Sequence, residues 1–226
     1  MKRLSFLSLS LVIWLGLFMF SCESEPSIDV NQDKIWVEYE LIYDATEDKT
    51  TAFALFRFGN SLGTQLELSD PASVTFEGET LLFNPILARH ELELDGLVNQ
   101  GSFVYTDTEA NVFTNQTPIM GSADFPTNLP SLTLSKSADY ELVWEGSAVG
   151  ENQGVSVLVG PKLFVEDELN ATSITLYANR LQDLDKPSYL TYLERWEELD
   201  PLETTSAGGV IRARYRAERT TAEIAD

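Results

Sequence analysis

Gly59-Asn60-Ser61-Leu62-Gly63 has the G-x-S-x-G spacing that, on a strand-to-helix turn, lifts a serine nucleophile over a sheet. Alternating segments flank it on both sides, and Asn and Gly are ordinary turn residues. The spacing therefore predicts a strand-turn-strand rather than an elbow. A triad also needs a base, and His90 is the only histidine. It shares an apolar face with Leu92 and Leu94, which predicts packing. With one His and one Cys, a zinc-type centre fails by count.

Calcium is bound by carboxylates and carbonyls, so it stays open as the one conceivable cofactor. Asp107-x-Glu109-x-Asn111 has the alternate-position oxygens that open a calcium loop, without the following glycine or the distal bidentate glutamate. Asp44/Glu47/Asp48 and Asp183/Asp185 are similarly incomplete. The competing reading at each is an exposed acidic turn. Paired carboxylates for glycoside hydrolysis cannot be judged by counting 36 acids, because their separation in space decides that mechanism.

Two further groups of residues could bind rather than react. Arg212, Arg214 and Arg216 alternate along one strand face, with Arg219 beyond, in a chain with only 13 basic residues after residue 21. They read either as a contact stripe for an acidic partner or lipopolysaccharide phosphates, or as a solvated face paired across the ladder with acids such as Glu194. Trp36, Trp144 and Trp196, with eight tyrosines, could supply a sugar-stacking platform or simply pack. Trp36 points to the side of its strand that carries Glu38 and Glu40.

The net charge is −21, and −23 once residues 1–21 are set aside. Such a surface repels nucleic-acid phosphates and anionic head groups, which excludes nucleic acid as a partner. About 205 residues remain after the first 21, enough for one large domain or two of about 100. A single cysteine permits no internal disulfide, so the fold must rest on core burial.

Lys2 and Arg3 precede a run, Leu4 to Ser21, that is apolar except for three serines near its front, Ser5, Ser8 and Ser10; such a layout reads as a secretory signal, set aside from the fold. Met19-Phe20-Ser21-Cys22 resembles the lipobox of bacterial lipoprotein precursors, in which the cysteine is acylated and becomes the mature N-terminus. It differs at Met19 and Phe20, where Leu and a small residue are usual. Glu23-Ser24-Glu25 resembles the acidic export tag of surface lipoproteins of Bacteroidota-type bacteria. The resemblance covers this segment alone and implies lipidation at Cys22 and anchoring in the outer membrane, at the cell surface or on its periplasmic face. An uncleaved membrane anchor is the alternative, since about 18 apolar residues can just span a bilayer.

The elements that must position these residues are strands. Ile35, Val37, Tyr39, Leu41 and Tyr43 share one face of a period-two segment. Thr51–Phe58, Gln65–Leu68, Ser73–Phe76, Thr80–Phe83 and the His90-Leu92-Leu94 segment continue it. A hairpin of Ser102–Thr106 and Asn111–Thr114 follows, with turn signals every 8–12 residues. Pro118, Gly121, Pro126 and Pro130 mark a linker over 118–131. In the second half, Tyr140-Leu142-Trp144, Val155–Val159 and Ile174–Ala178 alternate. Tyr189–Trp196 and Val210–Ala217 read as a hairpin, although Pro187–Leu199 also fits an amphipathic helix. Leu181-Gln-Asp-Leu-Asp-Lys-Pro-Ser-Tyr-Leu-Thr-Tyr192 resembles the approach to the sixth strand of immunoglobulin-like domains. That likeness implies a tyrosine corner at Leu184, Asp185 and Tyr189 and a core tryptophan at Trp144, in the absence of the usual cysteine pair.

The expected architecture is all-β, two immunoglobulin-like sandwiches in series. The predicted order is signal 1–21, lipid-anchored tether 22–33, sandwich 34–117, linker 118–131, sandwich 132–219 and tail 220–226. The expected role is a non-catalytic envelope module that contacts a polysaccharide or another envelope protein. An accessory subunit of an outer-membrane assembly and a carboxylate-dependent glycan hydrolase are the alternatives.

Overall fold

The computed structural model describes residues 24–128 and 131–226; the predicted signal 1–21 and Cys22 lie outside the described residues. The chain is all-β. In its first half run β1 (Glu25–Pro26), β2 (Ile35–Asp44), β3 (Lys49–Phe58), β4 (Gln65–Glu67), β5 (Ser73–Phe76), β6 (Glu79–Thr80), β7 (Leu82–Asn84), β8 (Arg89–Asp95), β9 (Ser102–Thr106) and β10 (Val112–Gln116). The second half holds β11 (Ala123–Asp124), β12 (Leu132–Ser135), β13 (Tyr140–Val143), β14 (Glu145–Gly146), β15 (Gln153–Val159) and β16 (Lys162–Glu166). It closes with β17 (Ser173–Leu176), β18 (Ser188–Leu199), β19 (Gly209–Arg216) and β20 (Thr220–Ala225).

Period-two patterning builds two cores. In the first, Val37, Tyr39 and Leu41 of β2 and Ala52, Ala54 and Phe56 of β3 face Phe76, Phe103 and Tyr105 across the sandwich. The Tyr39 and Phe103 rings stack with centroids 4.9 Å apart. In the second, Val155, Val157 and Val159 of β15 pack with Leu193, Phe164, Trp144 and Leu142. The tyrosine corner closes as the resemblance implied. Tyr189 OH accepts from the backbone N–H of Asp185 and of Lys186, each at 3.0 Å, and donates to Asp185 Oδ1 at 2.8 Å. Ser188–Leu199 is a strand, not a helix: it pairs antiparallel with both β15 and β19.

The two sandwiches share a sheet. Strand β19 returns from the second half and lies parallel to β2, from Gly209↔Val37 to Arg216↔Asp44. One sheet thus runs β1-β4-β3-β2-β19-β18-β15-β16. Ile211 and Ala213 of β19 belong to the first core, while Ala217, just beyond it, belongs to the second. The predicted linker is packed at Met120 and Gly121. Met120 N–H reaches Asn99 O at 2.7 Å, and the Arg195 side chain lies over Gly121.

Both predicted ends need correcting. Residues 220–226 are not a tail: β20 lies between β12 and β18, with Ala222 buried in the second core. Its inward side chains are Thr220, Ala222 and Ile224, only one of them a large apolar residue, so the alternation was faint. The predicted tether 22–33 is docked from Glu25 onward, where β1 pairs with β4. Ser27 and Gln32 are buried, and Gln32 Nε2 donates to the carbonyls of Ser27 and Val30. A polar stretch satisfied by its own backbone has the composition of a linker without its freedom.

Candidate functional site

On the outer face of the long sheet, β18 presents Tyr192, Glu194, Trp196 and Glu198 in succession. The neighbouring β15 offers Gly154, Ser156 and Leu158 in register with them. Strand β16 adds the exposed Leu163 and Val165. On the other flank stand Arg212, Arg214 and Arg216 of β19. Two adjoining hollows, of about 450 and 280 Å³, share Ser156, Leu163 and Glu194 and make one open trough along β18.

A glycine shapes the floor of that trough. A Cβ on Gly154 would come within 2.4 Å of Trp196 Cζ2, so the indole lies flat against the backbone there. Trp196 is half-buried, with one ring face on β15 and the rest of its surface in the trough. At the other end, the Arg216 guanidinium carbon stands 5.9 Å from the Tyr192 ring centroid.

The arginine stripe is bound to acids on both sides. Arg212 pairs with Glu38 and Glu198; Arg214 pairs with Glu40 at 2.7 Å and Glu194 at 3.1 Å; Arg216 pairs with Asp44 at 3.1 Å and Glu194 at 2.7 Å. Five carboxylates around three guanidiniums leave the cluster without free positive charge. Burial pushes the Glu40 carboxyl above the ordinary value against the pull of Arg214 and Arg212. This is the paired-face reading of the stripe; in it the guanidiniums seam β2 to β19 and β18.

Trp36 stands apart from the trough. It is half-buried on β2, in register with Arg57. The row of Trp196 crosses β2 at Ile42, six residues farther on, or about 20 Å along the strand. Trp36 and Trp196 therefore form no common platform. Trp144 is buried in the second core and donates Nε1–H to Ser147 O at 3.1 Å.

In the Asp107-x-Glu109-x-Asn111 turn, Asp107 has spent both carboxylate oxygens locally. Asp107 Oδ1 accepts from the N–H of Glu109 and of Asn111, and Oδ2 accepts from Asn111 Nδ2 at 2.8 Å. That is an Asx-type staple closing the β9–β10 hairpin. Among the described residues no group of three or more His, Cys, Asp or Glu is placed to hold a metal ion. Ser61 lies on the exposed turn between β3 and β4, as the strand-turn-strand reading required. His90 is buried between Phe56 and Phe83, its Nε2 accepting from Leu68 N–H at 3.3 Å.

Sequence reading missed β16, and with it the apolar wall of the trough. The signal was present in Leu163-Phe164-Val165, where only Phe164 turns inward. It also missed Arg195, a buried guanidinium on the inner face of β18 that donates to the carbonyls of Ser147 and Ala148, each at 2.7 Å.

No family model matches the chain, and no characterised protein matches it in sequence. Among solved structures it is similar to part of a 1.5-MDa bacterial ice-binding adhesin studied for host cell surface retention. That match has 14% identity over 86% of this chain and 66% of the other, with a TM-score of 0.25. A Ca²⁺-stabilised adhesin with which an Antarctic bacterium binds ice matches at 12% identity over 84% and 49%, with a TM-score of 0.26. Fibronectin(III)-like modules of Clostridium thermocellum match at 5% identity over 81% and 92%, with a TM-score of 0.24. The chain thus spans less than two thirds of the length of the two adhesin structures.

Proposed function

We propose that this chain is a non-catalytic cell-envelope module, lipid-anchored at Cys22 in the outer membrane, which offers the β18 trough to an uncharged stretch of polysaccharide. The observation that carries the reading is Trp196 held flat over Gly154 in an open, partly apolar trough. An aromatic plane rimmed by polar groups suits the apolar face of a sugar ring. The neighbouring charges favour a neutral ligand, because every arginine of the stripe already faces carboxylates. Glu194 has both oxygens engaged by Arg214 and Arg216, which favours a binder over a carboxylate-dependent hydrolase.

The test is calorimetric titration of the protein with a panel of neutral glucans and with lipopolysaccharide. A neutral glucan should bind, Trp196→Ala should weaken it at least about tenfold, and added salt should change little. Binding that survives Trp196→Ala, or binding to lipopolysaccharide alone, overturns the reading. The anchor is tested separately. Cys22→Ala should abolish incorporation of labelled palmitate and release the protein from membranes, and unchanged membrane extraction would refute it.

A further inference from the structure

The three most exposed apolar side chains of the described residues are Leu202, Leu62 and Ile86, at 92%, 91% and 90%. They gather at one end of the molecule. Leu62 sits on the β3–β4 turn, which is fastened by Gly59 N–H to Lys34 O at 2.7 Å. Leu202 sits on the β18–β19 loop, fastened to the same segment by Ser206 N–H to Asp33 Oδ1 at 3.0 Å and Thr205 Oγ1 to Ile35 O at 2.7 Å. Ile86 tips the β7–β8 hairpin, which Gln65 Nε2 ties to the start of β4 through Ala88 O at 2.8 Å. Phe58, also exposed, lies at the end of β3 just before the Leu62 turn.

The chain enters the fold at this same end. Strand β1 is parallel to β4, with Glu25 opposite Leu66, so β1 starts on the side of Gln65 and the Leu62 turn. Only three peptide steps separate Cys22 from Glu25, at most about 10 Å of chain. An acyl group on Cys22 would therefore bring the bilayer surface against the very turns that carry Leu62, Leu202 and Ile86. Two of the three turns suit that contact, while Leu202 stands between Asp200 and Glu203. Residues 57–66 and 81–90 contain no acid, in a chain with 36 of them.

We infer that Leu62, Leu202 and Ile86 form an apolar wedge that dips into the lipid surface beside the anchor and fixes the orientation of the module on the membrane. The partner is a bilayer, and the attraction is apolar because the net charge of the chain opposes anionic head groups. The wedge would hold the long sheet upright on the membrane and keep the β18 trough from turning toward it. This inference rests on acylation at Cys22.

The experiment uses the full acylated chain reconstituted in phosphatidylcholine vesicles. Single variants Leu62→Cys, Leu202→Cys and Leu97→Cys carry an environment-sensitive nitrobenzoxadiazole label. Labels at 62 and 202 should gain emission at least about twofold, shift to the blue and be quenched by spin-labelled lipid. The label at 97, equally a surface leucine but just beyond β8 at the end of β3 opposite Phe58, should do none of these. Retention on vesicles with no quenching at 62 and 202 overturns the wedge while the anchor stands. Failure of the parent chain to take up palmitate or stay on vesicles removes the anchor, and the wedge with it. Shielding that grows with protein concentration in the absence of vesicles would assign this end to a second copy instead, which also overturns the inference.

Discussion

The Trp196 indole occupies the space that any side chain at position 154 would need: a Cβ there would meet Cζ2 at 2.4 Å and Cε2 at 2.7 Å. The flat indole is therefore a property of the pair. Gly154→Ala should tilt the ring out of the trough floor and weaken glycan binding about tenfold, the scale of one lost aromatic contact. Both cores should remain intact, because neither residue belongs to them. Calorimetry with the bound glucan, set beside the urea midpoint, checks both halves of that expectation.

Glu40 is 4% exposed and lies between Arg212 and Arg214 at the join of β2 and β19. Removing it leaves two guanidiniums facing one fewer carboxylate, so Glu40→Ala should cost about 2 kcal/mol in urea unfolding. Glu47→Ala, which removes only the exposed pair with Arg219, should stay within about 0.5 kcal/mol of the parent.

One strand serving two cores predicts one transition. Because β19 contributes Ile211 and Ala213 to the first core and runs into Ala217 of the second, neither half can open without stripping the other. Fluorine-labelled tryptophan resonances report on both: Trp36 on the first half, Trp144 on the second. They should lose their native signals at the same urea concentration. Two separated midpoints would refute the shared-sheet account.

Burial holds the His90 imidazole below its ordinary value of 6.5. A base depressed in the folded state contributes stability that is complete above 6.5. That contribution is lost as pH falls from 6.5 through the folded value. As the only histidine, its ring proton gives a single NMR titration curve. The midpoint should lie below 6.5.

The Tyr189 hydroxyl holds the Asp185 carboxyl below the usual 3.8. Tyr189→Phe should raise that titration toward 3.8. It should also speed hydrogen exchange at the Asp185 and Lys186 amides about tenfold, since both lose their acceptor.

Much of the strand map was legible, because a half-buried strand must alternate and β2, β3, β8 and β18 do so plainly. Strands with few inward apolar residues were not: β20 turns only Ala222 and Ile224 onto the second core, and β16 turns only Phe164 inward. The candidate site was legible in its parts. Trp196 and the arginines stood out by type, but Gly154 carries no signal as one glycine among 13. Its role exists only through the register that sets it opposite Trp196.

By itself the sequence determined the all-β class, the tyrosine corner at Tyr189, the packed His90 and the turn at Ser61. The turn and the tyrosine corner, the latter through its likeness to immunoglobulin-like domains, involve only a few neighbouring residues, and the strands and the inward side of His90 follow from alternation within one strand. Tertiary structure alone decided that β19 joins β2, that the arginine stripe is spent on Glu38, Glu40, Asp44, Glu194 and Glu198, and that the exposed leucines share an end with the entering chain. Those depend on pairings between residues up to 174 positions apart. No local period encodes such a pairing, because either strand would alternate in the same way beside any neighbour.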